Sequence, residues 1–144
     1  MTPGSSTAPR RLMVVDDEPR FAAFVREAAE GIGMQVEMAG NGEEAKAVYR
    51  RFDPDVIVLD VVMPVMDGVE FVRWLGEEGC RARLLLVTGY NPHYGRLAER
   101  LSQAKGIGSV MVLNKPVRLH QLLAAIGEGA SGPDDGLNNS KRTP

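Results

Sequence analysis

Residues 12–19 read LMVVDDEP, and the order of residue types in this stretch recurs further along the chain. Its first four residues are an unbroken apolar run, which is typical of a parallel strand covered on both faces. Three acidic residues follow at once, and Pro19 then suits the first turn of a helix. We therefore predict a strand, a short acidic turn and a helix, in that order.

Four more strands are predicted downstream. Residues 56–59, 84–87 and 110–113 are further unbroken apolar runs. Residues 35–38 read QVEM and alternate instead, as an edge strand with one wetter face would. Segments with helical spacing separate the strands, and this alternation is typical of a parallel sheet between two helix layers. The sequence predicts an α/β fold with the architecture (βα)5.

Capping residues and apolar stripes mark the predicted helices. Asn41 with Glu44, and Asp67 with Glu70, resemble capping pairs, and residues 91–92 open another helix. The stripe of the first helix consists of Phe21, Phe24, Val25, Ala28 and Ile32, and that of the last consists of Leu119, Leu122, Leu123 and Ile126. The first stripe is either core throughout or, at Phe21, Phe24 and Val25, partly a surface for docking a partner.

Composition excludes several classes of protein. The chain has 144 residues, 44% hydrophobic and 25% charged, which is the balance of a soluble globular domain. Residues 10–128 are predicted to form one domain between flexible polar tails at residues 1–9 and 129–144. A net charge of −2 gives no cationic excess for nucleic acid, and no apolar run approaches the ~20 residues of a membrane span. One cysteine and two histidines argue against a disulfide framework or a zinc site and suit a reducing cytoplasm.

Polar side chains follow four of the five predicted strands. They are Asp16 and Asp17 after the first strand, Asp60 after the third, Thr88 after the fourth and Lys115 after the fifth. In an open parallel sheet the ligand site lies beyond the carboxyl ends of the strands. We therefore expect these side chains to meet at one edge of the sheet.

The chemistry of this set indicates phosphoryl transfer. Three adjacent carboxylates need a counter-charge, and an oxygen-seeking dication such as Mg²⁺ supplies it. A lysine and a hydroxyl aimed at the same point suit an anion with several oxygens. Together with a carboxylate nucleophile, these groups are typical of transfer onto an aspartate. Each residue alone has an ordinary explanation, such as helix capping for Asp16 and Asp17, so the interpretation depends on their convergence.

Four motifs at these positions resemble those of the response regulator receiver domain of two-component signalling. They read VVDDEP at residues 14–19, LDVVMPVMDG at 59–68, VTGY at 87–90 and LNKP at 113–116. The resemblance covers residues 10–128. It implies a flavodoxin-like, doubly wound parallel sheet of five strands in the order 2-1-3-4-5, with helices on both faces.

The resemblance also implies a role for each residue. Asp60 would be the phosphoacceptor. The ligands of Mg²⁺ (or Mn²⁺) would be Asp16, Asp17, Asp60 and the backbone carbonyl of Val62. Thr88 and Lys115 would bind the phosphoryl oxygens. The supporting positions would be Pro64 and Gly68, in the loop that closes over the site, and Pro116, whose bond to Lys115 would be cis.

Two departures from the family pattern bear on output and lifetime. Val112 stands where the family usually has an aromatic switch residue, so the usual coupling of the site to the output surface is not expected to operate through a ring. Val62 and Tyr90 flank the path of an attacking water and offer it neither carboxylate nor amide. We therefore predict slow self-dephosphorylation.

A stand-alone receiver is predicted, because only the polar tail at residues 129–144 follows the core. The alternative is one domain of a longer protein, with this tail as a linker. Its donor would be a phosphohistidine on a sensor histidine kinase or a histidine phosphotransfer protein. It would signal by phosphorylation-dependent binding of an unknown downstream protein or by phosphorelay. We expect no direct DNA binding, no membrane contact and no enzyme activity beyond its own phosphorylation and dephosphorylation.

Three alternatives remain at this stage. One is a receiver-like interaction module that works without phosphorylation. A second is an aspartate-nucleophile phosphohydrolase, which needs a carboxylate two residues after the nucleophile, where this chain has Val62. A third is a flavodoxin-like cofactor binder, whose phosphate the acidic residues 16–18 would repel.

Overall fold

The computed structural model describes residues 10–61, 68–89, 96, 100, 107 and 109–131. Five strands are β1 (Arg11–Val15), β2 (Gln35–Ala39), β3 (Val56–Asp60), β4 (Arg83–Thr88) and β5 (Ser109–Asn114). The helices among these residues are α1 (Pro19–Glu30), α2 (Gly42–Phe52), α3 (Gly68–Glu78) and α4 (Leu119–Ser131). All strand pairs are parallel, in the order β2-β1-β3-β4-β5. The predicted fold class and strand order are confirmed.

The three central strands explain why the sequence needs unbroken apolar runs. Every residue in 12–15, 56–59 and 84–87 is 0% exposed. Successive side chains of a strand point to opposite faces, so alternate residues enter two separate cores. Full burial of one large aliphatic side chain contributes roughly 1.5–3 kcal/mol, so a polar residue at any of these positions would be costly.

The helices form a layer on each face of the sheet. Helices α2 and α3 pack on one face, where Phe71 and Leu75 of α3 are fully buried. Helices α1 and α4 pack on the other, through Val25, Leu122 and Ile126. Both layers leave the carboxyl ends of the strands open at one edge, and that edge bears the polar residues.

The prediction of Ile32 and Leu119 as members of core-facing apolar stripes is wrong, because both are half-exposed. Met38 on the edge strand β2 is exposed as well. Ile32 lies after α1 has ended and Leu119 is the first residue of α4, so neither lies in the helical turns that pack on the sheet. Phe21 and Phe24 are partly buried against the core, whereas Val25 is fully buried.

The first residues of α1 and α2 can be compared with the predicted capping pattern. The Asn41 side chain accepts a hydrogen bond from the Glu44 N–H at 2.9 Å and caps α2. The Glu44 carboxylate in turn accepts a hydrogen bond from the Gly40 N–H at 2.7 Å. At α1, Pro19 is in the first turn and Glu18 is the N-cap residue, but its side chain makes no capping hydrogen bond. The Glu18 carboxylate is therefore directed to another partner.

Some predicted features fall outside the described residues. They include the tail at residues 1–9, residue Asp67 and most of the helix predicted from residue 91, of which Arg96 and Arg100 are described and are helical. Helix α4 continues to Ser131, past the predicted boundary at residue 128. Within the described part of the chain, no helix has the length and apolar character to cross a bilayer.

Candidate functional site

The carboxyl ends of β1, β3, β4 and β5 lie at one edge of the sheet. Parallel pairing places Asp60 beside Val87 and Thr88 beside Asn114. The acidic turn after β1 and Lys115 after β5 reach the same edge, as the ion pair between Lys115 and Asp16 shows. The convergence expected from the sequence is therefore present for the acids and the lysine.

Three carboxylates form the floor of the site. One oxygen from each of Asp16, Asp17 and Asp60 lies within 4.8 Å of the other two. The Asp16 side chain is 0% exposed and that of Asp60 is 12% exposed, whereas Asp17 is exposed. One acid is thus held in the interior, one lies close to the surface and one faces solvent.

The Lys115 ammonium is the counter-charge of this group. Its Nζ atom lies 3.2 Å from Oδ2 of Asp16, 3.2 Å from Oε1 of Glu18 and 3.8 Å from Oδ2 of Asp60. It also lies 4.6 Å from the centre of the Phe21 ring, within the range of a cation–π contact. Lys115 is 23% exposed, so most of its contacts are with protein rather than water.

Burial and charge shift two pKa values in this site. Burial raises the pKa of Asp16 above its usual value, although the Glu18 N–H, which donates to Oδ1 at 2.7 Å, and Lys115 both favour the charged form. Burial alone would lower the pKa of Lys115. The charges of Asp16 and Asp60 and the hydrogen bonds to Glu18 and Asp16 outweigh that effect, and its pKa is raised. Lys115 therefore keeps its positive charge, whereas the contacts of Asp16 offset only part of the cost of burying its negative charge.

The donor set fits a magnesium ion. Among the described residues, the carboxylates of Asp16, Glu18 and Asp60 contact one ammonium and Asp17 lies beside them, so the site has excess negative charge. Mg²⁺ binds through one or two carboxylates and keeps several waters, and the exposure of Asp17 leaves room for them. Soft ligands are absent from this edge among the described residues, which disfavours zinc.

Other predicted site positions are described in part. Thr88 ends β4, but its side chain lies outside the described residues, as do Val62, Pro64 and Tyr90. Gly68 is the first residue of α3. The Lys115–Pro116 bond is cis, as the resemblance implies. Val112 is partly buried against the core under α2 and α3.

Sequence reasoning assigned no role to Glu18 and only an apolar one to Phe21. Both contact Lys115. A signal was available, since the two positions are three residues apart at the start of α1 and such residues share a helix face. What the sequence could not show is that this face turns toward β5.

The family model described as the response regulator receiver domain matches residues 12–127. The chain belongs to this family. Members act in two-component systems, in which phosphorylation and magnesium binding are typical. Receiver domains are generally signalling modules rather than enzymes.

Named relatives of this receiver domain differ in length. The transcriptional regulatory protein TrcR of Mycobacterium tuberculosis is 33% identical over 119 residues, which are 83% of this chain and 44% of TrcR. The chemotaxis protein CheY of Halobacterium salinarum is 27% identical over 119 residues, 83% of this chain and 95% of CheY. The chain spans about half the length of several curated relatives that it matches.

A solved structure shows the same fold. Chemotaxis protein CheY4 of Vibrio cholerae superposes with a TM-score of 0.70 at 28% identity, over 83% of this receiver domain and 97% of CheY4. The likeness therefore extends over nearly the whole of a compact receiver rather than over a shared fragment.

Proposed function

We propose that this receiver domain accepts a phosphoryl group on the Asp60 carboxylate from a phosphohistidine donor, in a reaction that depends on Mg²⁺. The donor is a sensor histidine kinase or a histidine phosphotransfer protein. One observation carries the proposal: oxygens of Asp16, Asp17 and Asp60 lie within 4.8 Å of one another, with the Lys115 ammonium 3.8 Å from Asp60. This arrangement combines a nucleophile, a place for a dication and a fixed positive charge.

The transfer step is a substitution at phosphorus. An Asp60 oxygen forms a bond to phosphorus while the phosphorus–nitrogen bond of the donor breaks, and the imidazole nitrogen leaves with the electron pair. Lys115 offsets the charge on the phosphoryl oxygens from a position that its carboxylate contacts already define. Asp16, Asp17, Asp60 and the carbonyl of Val62 would hold the metal, which would offset charge on those oxygens.

Phosphorylation then alters the surface that a partner reads. We expect the Thr88 hydroxyl to bind the new phosphoryl group, and Pro64, Gly68 and Pro116 to shape the surrounding loops. Val112 has no ring to move, so an aromatic switch at this position is not expected to carry the change in shape. The output is a changed affinity for a downstream protein, or transfer of the phosphoryl group to a second histidine.

The domain works in the cytoplasm as a stand-alone receiver in this proposal. Support comes from the CheY relative, 95% of whose length this chain matches, and from the net charge of −2, which gives no cationic excess for DNA. The alternative is the receiver part of a longer transcriptional regulator, which the TrcR match favours. An antibody to the chain separates them: the proposal expects a native protein of 144 residues in source cells, and a protein about twice that size supports the alternative.

Phosphoramidate, a small donor with a phosphorus–nitrogen bond, tests the central reaction. With Mg²⁺, the intact mass of the wild type should rise by one phosphoryl group, and neither Asp60→Asn nor wild type in EDTA should gain it. Asp53→Asn is the matched control, because Asp53 is exposed, lies away from the site and has the left-handed backbone that asparagine tolerates. No adduct on folded wild type would favour the phosphorylation-independent module, and continuous phosphate release without an adduct would favour a hydrolase.

A further inference from the structure

Lys115 has two neighbours that the metal and the phosphoryl group do not need. Oε1 of Glu18 lies 3.2 Å from its Nζ atom, and the Phe21 ring centre lies 4.6 Å away. Glu18 is the N-cap residue of α1, but its side chain makes no capping hydrogen bond. Its carboxylate contacts the Lys115 ammonium instead.

The ammonium and a dication compete for the same carboxylates. Lys115 contacts Asp16 and Asp60, and both belong to the trio whose oxygens lie within 4.8 Å. A cation that binds the trio must weaken those two lysine contacts. The ammonium would then enter solvent unless another acceptor held it, and the side-chain order that phosphoryl binding requires would be lost.

Glu18 and Phe21 supply that second acceptor without using a metal ligand. Glu18 is outside the trio, and its side chain is 55% exposed, so water screens only part of its attraction for the ammonium. The ring of Phe21 attracts a cation through its quadrupole and has no lone pair to offer a metal. Both groups belong to the start of α1, so they form one side of the space that Lys115 occupies.

We propose that Glu18 and Phe21 are positioning residues that hold the Lys115 ammonium beside the metal site, so that a divalent cation can take Asp16 and Asp60 while the lysine stays in place. The inference rests on the proposed function, since it assumes that the trio binds a dication. Glu18 acts through Lys115 and does not touch the metal or the phosphoryl group. Its removal therefore weakens metal binding only while Lys115 is present.

Mn²⁺ binding, measured from the electron paramagnetic resonance signal of the free ion, tests this without a phosphodonor. Glu18→Gln should weaken binding about fivefold in the wild type, the upper range for a partly exposed ion pair. The same substitution in a Lys115→Met background should change binding less than about twofold, because the group through which it acts is gone. Glu27→Gln is the matched control, since Glu27 is exposed on the same helix and forms no ion pair within the part of the chain that the structure describes.

Two further measurements keep the outcome unambiguous. Phe21→Leu keeps the apolar bulk but not the ring, and should weaken Mn²⁺ binding about two- to threefold. In the metal-free protein, Glu18→Gln and Lys115→Met should show non-additive effects on the free energy of unfolding. Equal effects of Glu18→Gln in both backgrounds, or additive unfolding effects, would overturn the positioning role. Because neither readout involves phosphorylation, a chain that binds Mn²⁺ as expected but gains no phosphoryl group would contradict only the proposed function.

Discussion

Replacement of Lys115 by methionine should destabilise the metal-free protein, because it leaves Asp16 and Asp60 without their counter-charge. The Asp16 side chain is 0% exposed and loses a 3.2 Å charge-assisted hydrogen bond. Loss of one partner from a fully buried ion pair costs about 3–5 kcal/mol. This pair is not fully buried, because Lys115 is 23% exposed, so the cost should be below that range. Protonation of Asp16 relieves part of the cost, so we expect a loss of about 2 kcal/mol at neutral pH.

The loss should depend on pH and on divalent cations. Burial already raises the pKa of Asp16, whereas the charge of Lys115 lowers it. Removal of Lys115 should therefore raise the pKa of Asp16 further. A carboxyl group whose pKa is higher in the folded than in the unfolded state stabilises the fold when protonated, so stability is lost as the pH rises through the folded pKa. The destabilisation should therefore be larger at about pH 7.5 than at about pH 5. Mg²⁺ supplies a new counter-charge and should restore part of the stability.

Urea unfolding followed by the fluorescence of Trp74, the one tryptophan of the chain, measures these effects. Arg26→Met is the matched control, because the Arg26 guanidinium pairs with Glu30 at 3.6 Å on the exposed side of α1, with both side chains half-exposed. It should cost less than about 1 kcal/mol and show no response to Mg²⁺. Equal stability of Lys115→Met and wild type at both pH values would refute the argument that Lys115 offsets the negative charge of this acidic cluster.

Three further predictions concern a cap, a thiol and a lifetime. Asn41→Ala should lower the free energy of unfolding by about 1 kcal/mol, and Asn41→Ser should restore most of it; equal losses would exclude the side-chain cap. Cys80 is buried and burial raises the pKa of its thiol, so iodoacetamide should modify it far more slowly in the native protein than in urea, and similar rates would contradict this. Val62→Asn and Tyr90→Glu should each shorten the half-life of the phosphorylated protein, followed by intact mass, and an unchanged half-life would show that neither position limits the attacking water.

The fold could be predicted because its signals are local. An unbroken apolar run at residues 56–59 requires cover on both faces, and only a sheet between two helix layers supplies it. The exposed residues Ile32 and Leu119 escaped prediction, since helical spacing gives the direction of a side chain but not where the helix ends. Periodicity is therefore most informative in the middle of an element.

The acidic trio and Lys115 could also be predicted, because strand ends in a parallel sheet meet at one edge. The contacts of Glu18 and Phe21 with Lys115 could not, because they depend on how α1 leaves the β1 turn and on the path of a long flexible side chain. Such contacts are set by tertiary packing between segments nearly a hundred residues apart. The spacing of Glu18 and Phe21 indicates that they share a helix face, but no local pattern shows that this face turns toward Lys115.

Reduction of the phosphorylated protein with borohydride tests the central claim most directly. An acyl phosphate on an aspartate is reduced to homoserine, so peptide mass mapping identifies the residue that bore the phosphoryl group. The account predicts homoserine at residue 60 after treatment with phosphoramidate and Mg²⁺, and none after treatment in EDTA. Homoserine at residue 16 or 17, or a phosphoryl group on a hydroxyl or a histidine, would contradict it.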